Sequence, residues 1–304
     1  MSQTSPTKVA DKTMSVLLGN LATGQGFSAS RLSGVKFMRS TEHVPPSPIT
    51  YEPSIVFIAQ GKKRGRLGDQ RFVYDPNNYL VMSAPVPFEC ETFGTSEEPL
   101  LGLSISVTPV IVAELLVQLE SAPHHAVQKP HAIESAPTDD ALSDAAIRLL
   151  KCLDSADDTN ILGPQIIREI VYRVLTGPSG ANLRGLASPQ SHFGQITRAL
   201  NVIHTNYAGT HDIETLASQA GMSVSTFHTH FKNVTASSPL QYIKTIRLHK
   251  ARMLMVHHGL GASAAAIKVG YESASQFSRE FKRHFGGTPA EIASQLRSSL
   301  TRFA

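Results

Sequence analysis

Eight side chains on two short segments have the types needed to read duplex DNA: Ser225, His228, Thr229 and Lys232 in one, and Ser275, Gln276, Arg279 and Lys282 in the other. Hydroxyls and amides hydrogen-bond to base edges, an Arg can grip a guanine through two bonds, and Lys meets phosphate. At about 100° per helical residue, Ser225, Thr229 and Lys232 fall opposite Phe227 and Phe231. In the same way Ser275, Arg279 and Lys282 fall opposite Phe277 and Phe281, with His228, Gln276 and Ser278 flanking those faces.

The elements that must position these residues are written twice. Gly221-Met-Ser-Val-Ser-Thr-Phe-His-Thr-His-Phe-Lys232 is followed about fifty residues later by Gly270-Tyr-Glu-Ser-Ala-Ser-Gln-Phe-Ser-Arg-Glu-Phe-Lys282. Each glycine suits a tight turn that needs positive φ. Ser223 and Ser273 are natural helix N-caps, and each Phe pair, four residues apart, shares one buried face. Pro239 and Pro289 follow in register. This is the pattern of two helix-turn-helix units. A solvated face explains one such helix on its own, whereas a second copy in register argues for a shared task.

Between the copies, residues 239–256 place Leu240, Ile243, Ile246, Ala251 and Leu254 among Lys244, Arg247, Lys250 and Arg252, which predicts one amphipathic helix opening at a proline. Its length of about 27 Å compares with about 34 Å between successive major-groove faces of one duplex. Adding the bodies of the two motifs allows both reading helices to reach adjacent turns.

The stretch from Gly270 to Pro289 resembles the signature of the AraC/XylS family of bacterial transcription regulators, and residues from about 193 to 299 are similar to its two-motif DNA-binding domain. Ala274 stands where many members have Pro. Thr229 stands where many have Arg, so the resemblance implies weaker base readout by the first helix.

Charge is divided in the same way as the motifs. From residue 194 onward there are 12 Lys and Arg against 5 Asp and Glu, a balance of +7, while residues 1–193 hold 16 against 19, a balance of −3. The basic part is the part with the twin motifs, as phosphate contact requires. Eight of the 13 His also lie there. The opening residues lack the apolar run of a secretion signal, no stretch reaches the length of a membrane span, and two cysteines make no framework. The expectation is a cytoplasmic, reduced protein with no membrane partner, although a Cys90–Cys152 bridge stays open.

Residues 8–22 predict a short helix with Val16, Leu17 and Leu21 on one side. Over 34–107 the pattern turns to β, with runs at 54–59, 71–74, 79–83, 88–93 and 100–107 set between turns, which predicts a small antiparallel barrel or sandwich. Helices are expected again at 110–120, 141–153 and 161–175, with a polar loop at 121–140 and a linker at 187–192. In the last helix Ile166, Ile167, Ile170, Val171 and Val174 make a wide apolar stripe, either core or the seam of a homodimer. The run Tyr51-Glu-Pro-Ser-Ile-Val-Phe-Ile-Ala-Gln-Gly-Lys-Lys-Arg, with Leu67-Gly-Asp and Tyr74-Asp-Pro, resembles the cupin-like N-terminal domain found in one branch of AraC/XylS regulators. That resemblance implies a sensor for a small-molecule effector of unspecified kind.

Metal-bearing cupins need two His one residue apart on a strand, with Glu and a further His. Residues 54–107 hold no His; His43 precedes them, and His124, His125 and His131 fall in the later loop. His228 and His230 diverge on a helix. Lys62, Lys63, Arg64 and Arg66 read as solvated hairpin charge, with an anionic ligand or a partner surface as the sharper alternative, and Cys90 as a small buried thiol rather than a reactive sensor. The expectation is therefore an α+β chain of two domains. A cupin-like β-barrel or sandwich (1–120) with a helical connector (121–192) precedes an all-α domain (193–304) with two helix-turn-helix motifs. It would bind double-stranded promoter DNA without cofactor, metal or covalent chemistry, and by resemblance would contact RNA polymerase. The rival is a metal-dependent cupin enzyme with an accessory nucleic-acid domain.

Overall fold

The computed structural model describes residues 6–119 and 130–301. Its first part runs through α1 (Pro6–Leu21), β1 (Gly26–Ala29), β2 (Val35–Ser40), β3 (Val44–Thr50), β4 (Ser54–Gln60), β5 (Lys62–Leu67), β6 (Gln70–Tyr74), β7 (Asn78–Met82), β8 (Pro87–Phe93) and β9 (Leu100–Ser106). There follow α2 (Pro109–Gln118), β10 (Ile133–Pro137), α3 (Asp140–Cys152), α4 (Ala156–Ile161), α5 (Gly163–Thr176) and α6 (Gly180–Leu186). The second part is helical throughout: α7 (His192–Thr205), α8 (Ile213–Gln219), α9 (Val224–Thr235), α10 (Pro239–His257), α11 (Ala262–Lys268), α12 (Ala274–Phe285) and α13 (Pro289–Thr301). By contacts the chain forms two units, residues 1–46, 51–85 and 89–194 in one and 47–50, 86–88 and 195–304 in the other. His124 and His125 lie outside the described residues. Among those described, no helix is long and apolar enough to cross a membrane.

The strands form a six-stranded sheet ordered β1-β2-β9-β4-β7-β10 and a four-stranded sheet ordered β3-β8-β5-β6. The larger sheet is buried on both faces. Ile55, Phe57 and Ala59 of β4 join a core with Leu18 of α1, Leu149 of α3 and Ile170 of α5, while Val56 and Ile58 are equally buried on the other face. That is why β4 reads as a continuous apolar run rather than an alternation. The smaller sheet does alternate: Phe88, Cys90 and Thr92 of β8 are buried between less buried neighbours, as are Lys63, Gly65 and Leu67 of β5.

Five strands went unread in the sequence, each for a physical reason. β3 contains Pro45, Pro46 and Pro48 and sits at a sheet edge, where a missing N–H breaks no ladder. β5 hides under its charges. β10 lies inside the expected 121–140 loop and closes the other sheet's edge against β7, while β1 and β2 carry short mixed patterns. The expected 121–192 connector is thus, where described, part of the first unit's body. In α1 Met14 and Leu18 are buried and Leu17 and Leu21 pack against the same core, whereas Val16, expected on that side, is 64% exposed.

The apolar stripe of α5 belongs to this unit's own core: Ile170 and Val171 are 0% exposed, Val174 is 1% exposed, and Ile167 packs against the same cluster. The stripe is therefore not a dimer seam. A charge there has no solvent and no partner, so Ile170→Glu should destabilise the chain by several kcal/mol. The expected result is a lowered melting temperature and poor solubility; sedimentation showing a folded monomer with an unchanged melt would contradict the assignment.

Candidate nucleic-acid interface

The two helix-turn-helix units are near-copies at the level of single hydrogen bonds. In the first, Gly221 has φ +66°, its N–H bonds to Ser218 O at 2.9 Å, and Met222 N–H bonds to Ala217 O at 2.9 Å. In the second, Gly270 has φ +85°, its N–H bonds to Ile267 O at 3.0 Å, and Tyr271 N–H bonds to Ala266 O at 3.0 Å. A side chain at either glycine would be strained. Ser223 then caps α9 by accepting from Thr226 N–H, and Ser273 caps α12 by accepting from Gln276 N–H. Both helices end in a left-handed residue, Ala236 and Gly286, whose N–H returns to Lys232 O and Lys282 O.

Beneath each helix its Phe pair is wholly buried, with ring centroids 5.4 Å apart in both cases. Phe231 meets Tyr242 of α10 edge-on at 5.4 Å, and Phe277 meets Tyr271 at 5.3 Å. Such edge contacts add about 0.5–1.5 kcal/mol to the burial itself. Helix α10 spans both cores, with Tyr242 at one end and Leu248, Ala251 and Met255 in the other core.

With those faces fixed inward, all eight sequence-predicted residues are exposed: Ser225, His228, Thr229 and Lys232 on α9, and Ser275, Gln276, Arg279 and Lys282 on α12. They are not equally available. Thr229 Oγ1 donates to Ser225 O at 3.1 Å within its own helix, and Ser275 Oγ lies 2.9 Å from Ser273 Oγ. Gln276 Nε2 donates to Glu280 Oε1 at 3.2 Å, and Ser278 Oγ turns back to Ala274 O. Arg279 stands exposed near the middle of α12 with a forked set of donors.

Sequence reasoning missed the network behind Gln276. Glu280 also accepts from Lys244 Nζ at 2.9 Å and from Tyr271 Oη at 2.8 Å. Burial works against this carboxylate, but the bonds from Lys244, Tyr271 and Gln276 outweigh it and hold Glu280 below the usual range. The spacing of Gln276 and Glu280, one turn apart, was the available signal. Also unforeseen are His249 and His284, whose Nε2 atoms lie 3.3 Å apart between α10 and α12.

In the first unit the basic run is not simply a solvated hairpin. Lys63 is 6% exposed on the inner face of β5, while Lys62, Arg64 and Arg66 point outward. Its Nζ donates to Tyr51 Oη at 2.9 Å and lies within 6.0 Å of the rings of Phe27, Tyr51 and Tyr74. Burial disfavours the charged form, yet Tyr51 and Cys90 beside it offset that and keep Lys63 above the ordinary lysine range. Cys90 Sγ lies 3.2 Å from Tyr74 Oη, and both cysteines are free. His43 bonds to Glu91 at 2.9 Å, and among the described residues no three His, Cys, Asp or Glu converge as a metal site.

Residues 31–182 match the family described as the AraC-type transcriptional regulator N-terminus, and residues 216–295 match a helix-turn-helix domain. The HTH-type transcriptional regulator AlkR of Acinetobacter baylyi is 36% identical over 101 residues, 33% of this chain and 33% of AlkR. The HTH-type transcriptional activator RhaS of Yersinia pestis is 25% identical over 148 residues, 49% of this chain and 54% of RhaS. The matched stretches thus span between a third and about half of these curated relatives. ToxT from Vibrio cholerae superposes with a TM-score of 0.56 at 11% identity, covering 90% of this chain and 100% of ToxT. Its unsaturated fatty acid-bound form gives 0.52 at 11% identity, covering 90% and 98%. At such identity the likeness is one of fold.

Burial pushes the His249 imidazole well below its ordinary 6.5, and the nearby Arg252, His284 and His204 act in the same direction. The folded chain then binds fewer protons than the unfolded one, so stability should be unaffected by this group above about pH 6.5 and fall as pH drops below it. Thermal melts between pH 7.5 and 5 should show that fall, and His249→Gln should reduce its slope.

Proposed function

Because the chain belongs to the AraC-type transcriptional regulators, we propose that it is a sequence-specific regulator that binds double-stranded promoter DNA through α9 and α12. One observation carries the reading. Two near-identical helix-turn-helix units, at the two ends of one 19-residue helix, expose polar faces in the basic part of the chain. A 19-residue helix is about 28 Å long, which with the bodies of the motifs suits adjacent major grooves about 34 Å apart. In this reading Arg279 grips a base, Lys232 and Lys282 meet phosphate, and Ser225, His228, Thr229, Ser275 and Gln276 supply lesser contacts.

The work is binding without covalent chemistry in the cytoplasm, and by analogy with RhaS, named a transcriptional activator, the outcome is activation through RNA polymerase. The first unit is the sensor. ToxT, which shares the fold, is known with an unsaturated fatty acid bound. A buried ammonium at Lys63, with no carboxylate partner among the described residues, supports a small-molecule effector with a polar or acidic group.

Binding of the whole chain to its operator should fall steeply with salt, with a log–log slope of roughly −4 or steeper, since each neutralised phosphate contributes about −0.9. A flat response would remove the reading. Arg279→Ala should lose about 1–3 kcal/mol at the specific site with little change on random duplex. Thr229→Ala should lose less, because its hydroxyl is already turned to Ser225 O. Equal losses, measured on one operator at fixed salt, would show that the two helices have been ranked wrongly.

A further inference from the structure

Four cations line the helix between the two motifs, and one of them does something a solvated charge does not. Arg247 of α10 donates through Nε to Tyr207 O at 2.9 Å, through Nη2 to Gly209 O at 2.9 Å and through Nη1 to Gly270 O at 3.0 Å. Tyr207 and Gly209 lie in the turn that leads into α8, so they belong to the first motif's approach; Gly270 is the tight turn of the second motif. The guanidinium therefore ties together the strut, the entry to the first motif and the turn that aims α12.

Independent contacts press the same pieces together. A Cβ at Gly270 would lie 2.3 Å from Ala208 O, so the turn of the second motif sits directly on the 207–209 segment. The Tyr207 ring packs against the second motif's core and carries Lys250 Nζ 5.5 Å above it. One turn away on the same face of the strut, Lys244 holds Glu280 of α12 at 2.9 Å. Three carbonyls pointing at one centre require a planar donor with several N–H groups in fixed directions. Arg supplies five, whereas Lys would supply a single point of charge.

We propose that Arg247 is a positioning residue that sets the operator spacing the chain accepts, by fixing the second reading helix relative to the first motif. The proposal rests on the reading that α9 and α12 enter one duplex. Arg247 itself touches no DNA in this account; it acts through the turn at Gly270. Without the fork, α12 keeps its fold and its face but gains freedom to pivot on α10.

The test uses the whole chain and operators selected with it from randomised duplexes. Into the spacer between the two half-sites bound by one chain, one base pair is then inserted, which shifts one half-site by about 3.4 Å and turns it by about 34°. Wild type should lose affinity about tenfold on insertion, comparable to a mismatched base pair. Arg247→Gln should compress that ratio to less than about threefold, and Arg247→Lys should fall between the two. If Arg247 served only to hold the fold together, Arg247→Gln would weaken both spacings by one factor and leave the wild-type ratio intact, which overturns the proposal. Thermal melts run alongside, and if Arg247→Gln does not fold, Arg247→Lys decides: a ratio below that of wild type supports the proposal and an unchanged ratio overturns it. A wild-type selection that returns only one half-site would instead defeat the two-helix reading and the proposal with it.

Discussion

Two buried aromatic pairs orient everything that the second unit can present to a partner. Phe227 with Phe231, and Phe277 with Phe281, have no solvent exposure. Truncating one such ring to Ala costs about 3–5 kcal/mol, so each helix has one rotation about its own axis that the core will accept. That rotation leaves Thr229 and Lys232 outside on one helix, and Arg279 and Lys282 outside on the other. The polar faces are consequences of what is buried beneath them.

Helix α10 then converts two local orientations into one. It buries Tyr242 under the first motif and Leu248, Ala251 and Met255 in the second core, so its apolar residues cannot lie on a single stripe. Its charges are also divided in use. Lys244 and Arg247 bond to the second motif and its neighbouring turn, and Lys250 lies over Tyr207. A helix that appears in sequence as a spacer is, in three dimensions, a shared wall.

The first unit solves a different problem. Its larger sheet must be covered on both faces, which α1, α3 and α5 do on one side while the other face is buried within the β-layers. Drawing α3 and α5 into that cover turns what read as a connector into part of the body. The same closure takes Lys63 out of water and sets it among Phe27, Tyr51 and Tyr74, where its charge is held by one hydroxyl and the faces of three rings. Among the described residues no carboxylate meets this ammonium, and burying a charge is costly unless such neighbours offset it.

Sequence by itself determined the features governed by near neighbours. The caps Ser223 and Ser273, the positive-φ turns Gly221 and Gly270, the i, i+4 Phe pairs and the proline openings of α10 and α13 all depend on residues within a turn or two, so their spacing specifies them. The outward placement of the eight polar residues follows from that same periodicity. Only the tertiary structure decided the rest. Strand β3 forms despite its prolines because it lies at an edge, and β5 carries its charges because alternate residues face opposite ways. The α5 stripe is core because α3 and its neighbouring helices cover it and join it to one apolar cluster with the larger sheet. Arg247 is a brace because Tyr207, Gly209 and Gly270, 40, 38 and 23 residues distant, turn their carbonyls toward one point. Pairing across such separations is set by chain topology and packing, and no local pattern of residue types encodes it.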